Sequence, residues 1–413
     1  MTTNNSSSPR LTQIRSQQPA APIWQSEAVR VGPYIFTSAV LATDWKHGIA
    51  PEATVDQRFP YFGSEIERQT DYIMRSISRT LQAAGSGLHL VVKAHVFILD
   101  CADFLGFDRV WNKYFRAPPT RTTVGPAGLL IPGARIEISA IALAEDSGLK
   151  VEPAVSSAPR PLTKKVEAVR AGDFVFTSGQ LAHDAKNGVP PEAAGAGERP
   201  DLTKQSAYTI KNMTQSLRAA GASPQQVIKG QALLLDARRE SEFLIAWRDA
   251  FGDRPALSVV GVASLLVVGT LLEIDLTAYV GKDIRLPSRK APHGPEAIGC
   301  GNLVFSGSIY PGMDSGKLPQ ECAVPVPYPH YSSAICLQTK WVLKRLDAAL
   351  RDVGSALDHA AKAQVFLTDF ADFAAFDEVW REHFKLPPAR SVVKTSGLPV
   401  DGAKIAIEVY AAA

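Results

Sequence analysis

Apolar and polar positions follow the same order three times along the chain. An apolar run bent about a Gly-Pro pair, AVRVGPYIFTS (28–38), returns as AVRAGDFVFTS (168–178) and as AIGCGNLVFSG (297–307). Two short β-favouring runs joined by a two-residue turn led by Gly predict a hairpin. Residues 64–84, 202–220 and 331–350 then carry apolar side chains at helical spacing. In the first of these, Ile66, Tyr72, Ile73, Ile77 and Leu81 form one stripe, and Gly85 stands where a helix would end. Three strand-like runs follow, VVKAHVFILD (91–100), VIKGQALLLD (227–236) and AAKAQVFLTD (360–369).

Each of these leads into an aromatic helical stretch, FDRVWNKYF (107–115), FLIAWRDAF (243–251) or AFDEVWREHF (375–384). Trp111, Trp247 and Trp380 fall in register there and are expected in the core. Next come APPTRTTV (117–124), DRPALSVV (253–260) and LPPARSVV (386–393). RIEISAIALA (135–144), LLEIDLTAYV (271–280) and KIAIEVYAAA (404–413) close the units. The pattern predicts β-β-α-β-α-β three times, an α+β unit with two helices on one face of its sheet. The expected organisation is a flexible polar arm over 1–22 and repeats over 23–148, 160–283 and 290–413. Pro-containing linkers lie at 151–165 and 285–295. Three such units in one chain predict a pseudo-threefold association, the covalent counterpart of a cyclic trimer.

Composition narrows the function. The 413 residues hold 44 Lys plus Arg against 41 Asp plus Glu, a formal charge of +3, too close to neutral for an electrostatic nucleic-acid or membrane binder. No apolar run approaches the ~18–20 residues of a membrane span, and the first residues lack the apolar core of a secretory signal. Cys101, Cys300, Cys322 and Cys336 form no CxxC pair, which favours a reducing, cytoplasmic compartment. The histidines show no HExxH spacing, so no metal or cofactor is expected.

The ordered set of FTSGQLAHD (176–184), FSGSIYPG (305–312), LPPARSVV (386–393) and RIEISAIAL (135–143) resembles the RidA (YjgF) family of enamine/imine deaminases. The resemblance covers nearly the whole chain from about residue 24, three times over. It implies a chorismate-mutase-like fold and a ligand cleft wherever two units meet. It also implies a small anionic imine or enamine substrate that water converts with release of ammonia. In the family an Arg after the Pro-Ala pair clamps the substrate carboxylate. A Glu on the last strand handles water and proton, and backbone N–H groups near the Ser-Gly turn fix the geometry.

Carried over residue by residue, the three copies differ. Repeat 1 has Arg121 and Glu137, with Ser38 followed by Ala39 where Gly is expected. Repeat 2 keeps Ser178, Gly179 and Glu273, with Leu257 in place of Arg. Repeat 3 has Arg390, Ser306 and Gly307, and Ala406 replaces the acid, so Glu408 is the substitute on the same strand face. The Arg121–Glu137 cleft ranks first and the Arg390 cleft, completed by Glu408, second. Trp24 and His293 precede the hairpins of repeats 1 and 3 and, with Asp108 and Asp377 on the aromatic helices, are expected near substrate. Two other readings stay open. One is a ring-opening amidohydrolase similar to cyanuric acid hydrolase and barbiturase, pairing Ser38, Ser178 and Ser306 with Lys93, Lys229 and Lys362. The other is a non-catalytic metabolite-binding protein. Further self-association of the pseudo-trimer is also left open.

Overall fold

The computed structural model describes residues 11–16, 21–158, 163, 165–195, 200–288, 291, 294–327, 329–330 and 332–413. His293 lies outside the described residues.

The three repeats fold alike. Each opens on a hairpin, Ala28–Val31 with Tyr34–Thr37, Ala168–Ala171 with Phe174–Thr177, and Ala297–Cys300 with Leu303–Ser306. The turn glycines Gly32, Gly172 and Gly301 have φ of 54°, 62° and 57°, a region that a side chain disfavours. Repeat 1 carries helices α1 (Glu65–Ala83) and α2 (Phe104–Tyr114), repeat 2 α3 (Leu202–Ala219) and α4 (Glu240–Phe251), and repeat 3 α5 (Ala334–Asp352) and α6 (Phe373–His383). In α1 the stripe of Ile66, Ile73, Met74, Ile77 and Leu81 is buried, and Ser64 caps the N-terminus through the amide of Glu67. The helix ends where Gly85 turns left-handed (φ 69°) and the Ser86 amide reaches back to the Leu81 carbonyl.

A central strand follows the first helix of each repeat, Val91–Ile98, Val227–Leu234 or Ala360–Leu367. After the second helix two strands form, not the single one expected. An edge strand (Thr120–Val124, Ala256–Gly261, Ala389–Lys394) runs parallel to the central strand, and a closing strand (Ile136–Leu143, Leu272–Tyr279, Ile405–Ala412) runs antiparallel to it. The repeat is therefore ββαβαββ, with the closing strand between hairpin and central strand. β-Branched residues in Thr120–Val124 suit a strand buried on both faces.

Within the expected flexible arm, residues 11–14 form a strand. Leu11–Ile14 pairs antiparallel with Ala28–Val31, and Glu152–Ala154, inside the first expected linker, and Ile284–Arg285, at the start of the second, do the same for repeats 2 and 3. Each segment satisfies the open edge of its hairpin with backbone hydrogen bonds.

The helices cover one face of each sheet, and Trp111, Trp247 and Trp380 are each at most 1% exposed in the resulting cores. The other faces meet around a pseudo-threefold axis. Phe36, Phe174, Phe176, Phe305 and Tyr410, drawn from all three repeats, share one apolar cluster there. The ring is sewn shut: Gly128–Leu129 of repeat 1 pairs with the edge strand of repeat 3, and Gly125 bridges Ser264 of repeat 2.

Candidate functional site

Strand register decides which side chains meet. On the closing strand of repeat 1 Glu137 lies opposite Phe97, whereas Arg121 on the edge strand lies beside Ala94. Positions 94 and 97 point to opposite faces of the sheet. The expected Arg121–Glu137 pairing is thus excluded by the pleat. Each edge strand instead meets the Ser-Gly turn of the next repeat. The amide of Arg121 donates to Ser178 Oγ (3.0 Å) and the Gly179 amide to the Arg121 carbonyl (3.0 Å). Likewise the Arg390 amide donates to Ser38 Oγ (2.7 Å) and the Ala39 amide to the Arg390 carbonyl (3.0 Å). Arg121 therefore shares a cleft with Glu273, and Arg390 with Glu137. The Ser38 and Ser178 hydroxyls, expected to bind substrate, also donate to the carbonyls of Ser26 and Val166, so they join repeats instead.

The cleft between repeats 1 and 2 is open, with a cavity of about 430 Å³ lined by Arg121, Thr123, Lys165, His183, Glu273 and apolar residues. Arg121 is held by an ion pair with Asp108 (3.0 Å) and by the rings of Phe107 and Trp111, 4.9 and 5.2 Å from its Cζ. Glu273 Oε1 accepts from the Thr123 amide (3.2 Å), while Oε2 has no hydrogen-bond partner among the described residues. Burial raises the Glu273 carboxyl well above the usual carboxylate range, against the pull of Lys165. Burial pushes the Lys165 amine down, and its Nζ donates to the Gly179 carbonyl (2.6 Å). Gly179 has a steric reason: a Cβ there would stand 1.9 Å from Glu273 Oε1.

Repeat 1 presents Ala39 at the place of Gly179, and the cleft between repeats 3 and 1 is closed. Glu137 turns to Ser391, whose hydroxyl donates to it (2.6 Å), and burial pushes its carboxyl up to about 7. The Arg390 side chain is 0% exposed, ion-paired with Asp377 (2.7 Å), with Nε and Nη1 unpartnered among the described residues. Trp24 seals this side by donating to the Phe384 carbonyl (2.9 Å), and its own carbonyl accepts from Trp380 Nε1. Asp108 and Asp377, expected near substrate, act as the carboxylates that hold the two arginines.

The cleft between repeats 2 and 3 lacks both charges. Leu257 and Leu244 replace the Arg and the helix Asp, and both lie in the apolar core of repeat 2. Ala406 stands in place of the glutamate, and Tyr310, buried where the other repeats have Leu41 and Leu181, donates to Glu240. Here the expected alignment is off by one residue. The Ser306 hydroxyl accepts from the Val409 amide (2.7 Å), as Thr37 and Thr177 accept from Ala140 and Leu276. Gly307 is therefore the equivalent of Ser38 and Ser178, and Ser308 that of Gly179.

Glu408 is not part of the Arg390 cleft. It lies in a buried polar layer near the axis, ion-paired with Lys229 (2.9 Å). At the equivalent places Lys93 meets Asp275 (3.2 Å) and Lys362 meets the Ser139 hydroxyl (2.7 Å). Asp275 is held well below the usual carboxylate range by Lys93 and His95 against the effect of burial, and Lys362, desolvated, is pushed down to about 8. The lysines thus engage Thr122, Ser258, Ser139 and backbone carbonyls, not the hydroxyls of Ser38, Ser178 and Ser306. The expected pairs of Ser38, Ser178 and Ser306 with these lysines do not form.

Neither Lys165 nor His183 is among the site residues expected from the sequence. The signal for Lys165 was its departure from the repeat, since repeat 1 has Gln25 and repeat 3 Gly294 at that place.

A sequence profile of the Endoribonuclease L-PSP family matches residues 16–144, 155–280 and 315–413, and the chain belongs to that family. Single repeats resemble its smaller members. Reactive Intermediate Deaminase A of the chloroplast from Arabidopsis thaliana is 33% identical over 125 residues, 30% of this chain and 60% of that protein. A RutC family protein of Pyrococcus horikoshii is 29% identical over 123 residues, 30% of this chain and 92% of that protein. A solved chorismatase is similar in fold over 78% of this chain and 93% of its own, with a TM-score of 0.50 and 12% identity.

Proposed function

We propose that this chain is a hydrolytic deaminase of small anionic imines or enamines, working at the cleft between repeats 1 and 2. The observation that carries the reading is the convergence of Arg121, Glu273 and an open cavity. The relatives named RidA and RutC favour the same class of chemistry. The substrate carboxylate sits against the planar fork of Arg121, pre-aimed by Asp108 and two rings. This brings the C=N carbon toward Glu273. The unpartnered Oε2 takes a proton from water as the water oxygen bonds to that carbon, and the proton passes on to nitrogen. The hydroxyl proton then passes through Glu273 to the same nitrogen as the C–N bond breaks, so ammonia leaves and a carbonyl remains. A carboxyl raised toward neutral suits a group that must first accept and then give a proton. The apolar wall of Phe104, Leu105, Leu181, Leu266 and Val267 fits an uncharged substrate side chain. The four unpaired thiols are consistent with a reducing compartment.

The test is ammonia and keto-acid release from imino acids made in situ by an amino-acid oxidase. Wild type is expected to exceed buffer, Arg121→Ala and Glu273→Gln to lose most of that excess, and Arg390→Ala to keep it. Wild type equal to buffer across small and branched imino acids refutes the proposal. Ligand-dependent melting without turnover then identifies a metabolite-binding protein.

A further inference from the structure

Lys165 leads into the second hairpin, two residues before Glu167. Equivalence with Gln25 and Gly294 follows from the hairpins themselves, because the carbonyls of Glu27, Glu167 and Glu296 accept from the amides of Ser38, Ser178 and Gly307. The open cleft is thus also the one with an amine at this place. The Lys165 side chain is partly buried and lines the same cavity as Arg121 and Glu273. An amine becomes a nucleophile when lost hydration and cationic neighbours favour its neutral form. Burial against the apolar wall of the cavity acts most strongly in this direction, and Arg121 and Lys93 add to it as nearby cations, against Glu273 and Glu167, which favour the charged form. A neutral amine can still donate one N–H to the Gly179 carbonyl, and this bond fixes the nitrogen while leaving its lone pair free.

We propose that Lys165 is a covalent nucleophile of this cleft, forming a Schiff base with α-imino and α-keto acids whose carboxylate Arg121 holds. The inference rests on the reading of the cleft as an imine site. The neutral Lys165 nitrogen bonds to the carbon of the protonated imine, a proton from the amine passes through Glu273 to the substrate nitrogen, and ammonia leaves as that C–N bond breaks. The product is a protonated imine between Lys165 and the former substrate carbon. Water, deprotonated by Glu273, adds to that carbon, and the bond to Nζ then breaks to release keto acid and free amine. No group is oxidised or reduced. Run backwards from the keto acid, the same steps give the Schiff base with loss of water.

Borohydride reduces such an imine to a stable amine, so the full chain is incubated with pyruvate, reduced, and mapped by peptide mass spectrometry. The expected result is a reduced pyruvyl group on Lys165 in wild type and at least about a tenfold smaller trapped fraction in Lys165→Arg. Lys165→Gln, which installs the repeat 1 residue, serves if the arginine variant does not fold. Adducts spread over surface lysines, or equal trapping in the variants, overturn the proposal. Ammonia release from the same proteins separates the two claims. Wild-type release in Lys165→Arg without any adduct refutes the nucleophile and leaves the deaminase standing. Trapping on Lys165 without ammonia release from wild type refutes the deaminase and leaves the nucleophile.

Discussion

The Arg121–Asp108 pair has an internal control in repeat 2, where Leu257 and Leu244 occupy the same two places. Removing Arg121 alone leaves Asp108 mostly buried, 16% exposed, with the Asn112 side-chain amide still donating to its Oδ2 (2.9 Å). Breaking a buried pair on one side costs about 3–5 kcal/mol, and the residual exposure of Asp108 puts Arg121→Leu near the low end, about 3 kcal/mol. Replacing both partners removes the uncompensated charge, so Arg121→Leu with Asp108→Leu should lie within about 1 kcal/mol of wild type. The double variant should then be about 2 kcal/mol more stable than Arg121→Leu alone, well above the ~0.5 kcal/mol scatter of independent sites. Activity should not follow stability. Losing a charge-assisted hydrogen bond of about 1.5–3 kcal/mol lowers kcat/KM by roughly 10- to 100-fold in single and double variant alike. Urea unfolding read by tryptophan emission measures the first quantity, since Trp111 packs on Arg121, and ammonia release the second. A double variant no more stable than the single refutes the packing argument. A double variant with wild-type kcat/KM refutes the role given to Arg121.

Gly179→Ala places a methyl group against Glu273 Oε1. It should cost about 1–3 kcal/mol in stability, because the Glu273 side chain must shift to make room, and lower deamination at least tenfold. Turnover equal to wild type would show that the Glu273 position is not critical. For Glu137, a carboxyl near 7 when folded and near 4.5 when free means that the folded chain holds a proton the unfolded chain has lost between those values. Stability should therefore fall as pH rises from about 4.5 to about 7, by on the order of 3 kcal/mol, and Glu137→Gln should flatten that slope in urea titrations. A slope unchanged in the variant counts against burial as its source. Asp275→Asn leaves Lys93 without its carboxylate and should cost about 3 kcal/mol or more in unfolding free energy, a loss under 1 kcal/mol being the contrary result.

Much of the fold was legible because hairpin turns and helix stripes are local signals. The expected 64–84 and the observed Glu65–Ala83 differ by one residue at each end. The cleft was less legible. Every residue of Thr120–Val124 and Ile136–Leu143 is buried, so the alternation that would assign Arg121 and Glu137 to opposite faces is missing from the sequence. Which repeat faces which depends on the sense of rotation about the axis, and no local pattern encodes that. At Ser306 the shared Ser-Gly letters favoured one alignment, whereas hydrogen bonding to the closing strand fixes another. Lys165 sits beside a Pro- and Ser-rich stretch without periodicity, where position in the chain says little about position in space.

The open cleft is lined from Cys101 to Glu273, so among the described residues none of its wall comes from the last third of the chain. The sealed cleft joins Arg390 to Glu137 and must wait for that third. A polypeptide made from its N-terminus completes the pocket between repeats 1 and 2 first and ties the ring last. The two arginine clefts therefore belong to different moments of biogenesis. The early one is built by neighbours in sequence while the ribosome still holds the remainder, and the late one acts as the clasp that makes the assembly permanent. On this order, chemistry can be tuned in the first pocket without disturbing closure, and the clasp can become tight and inert without loss of turnover.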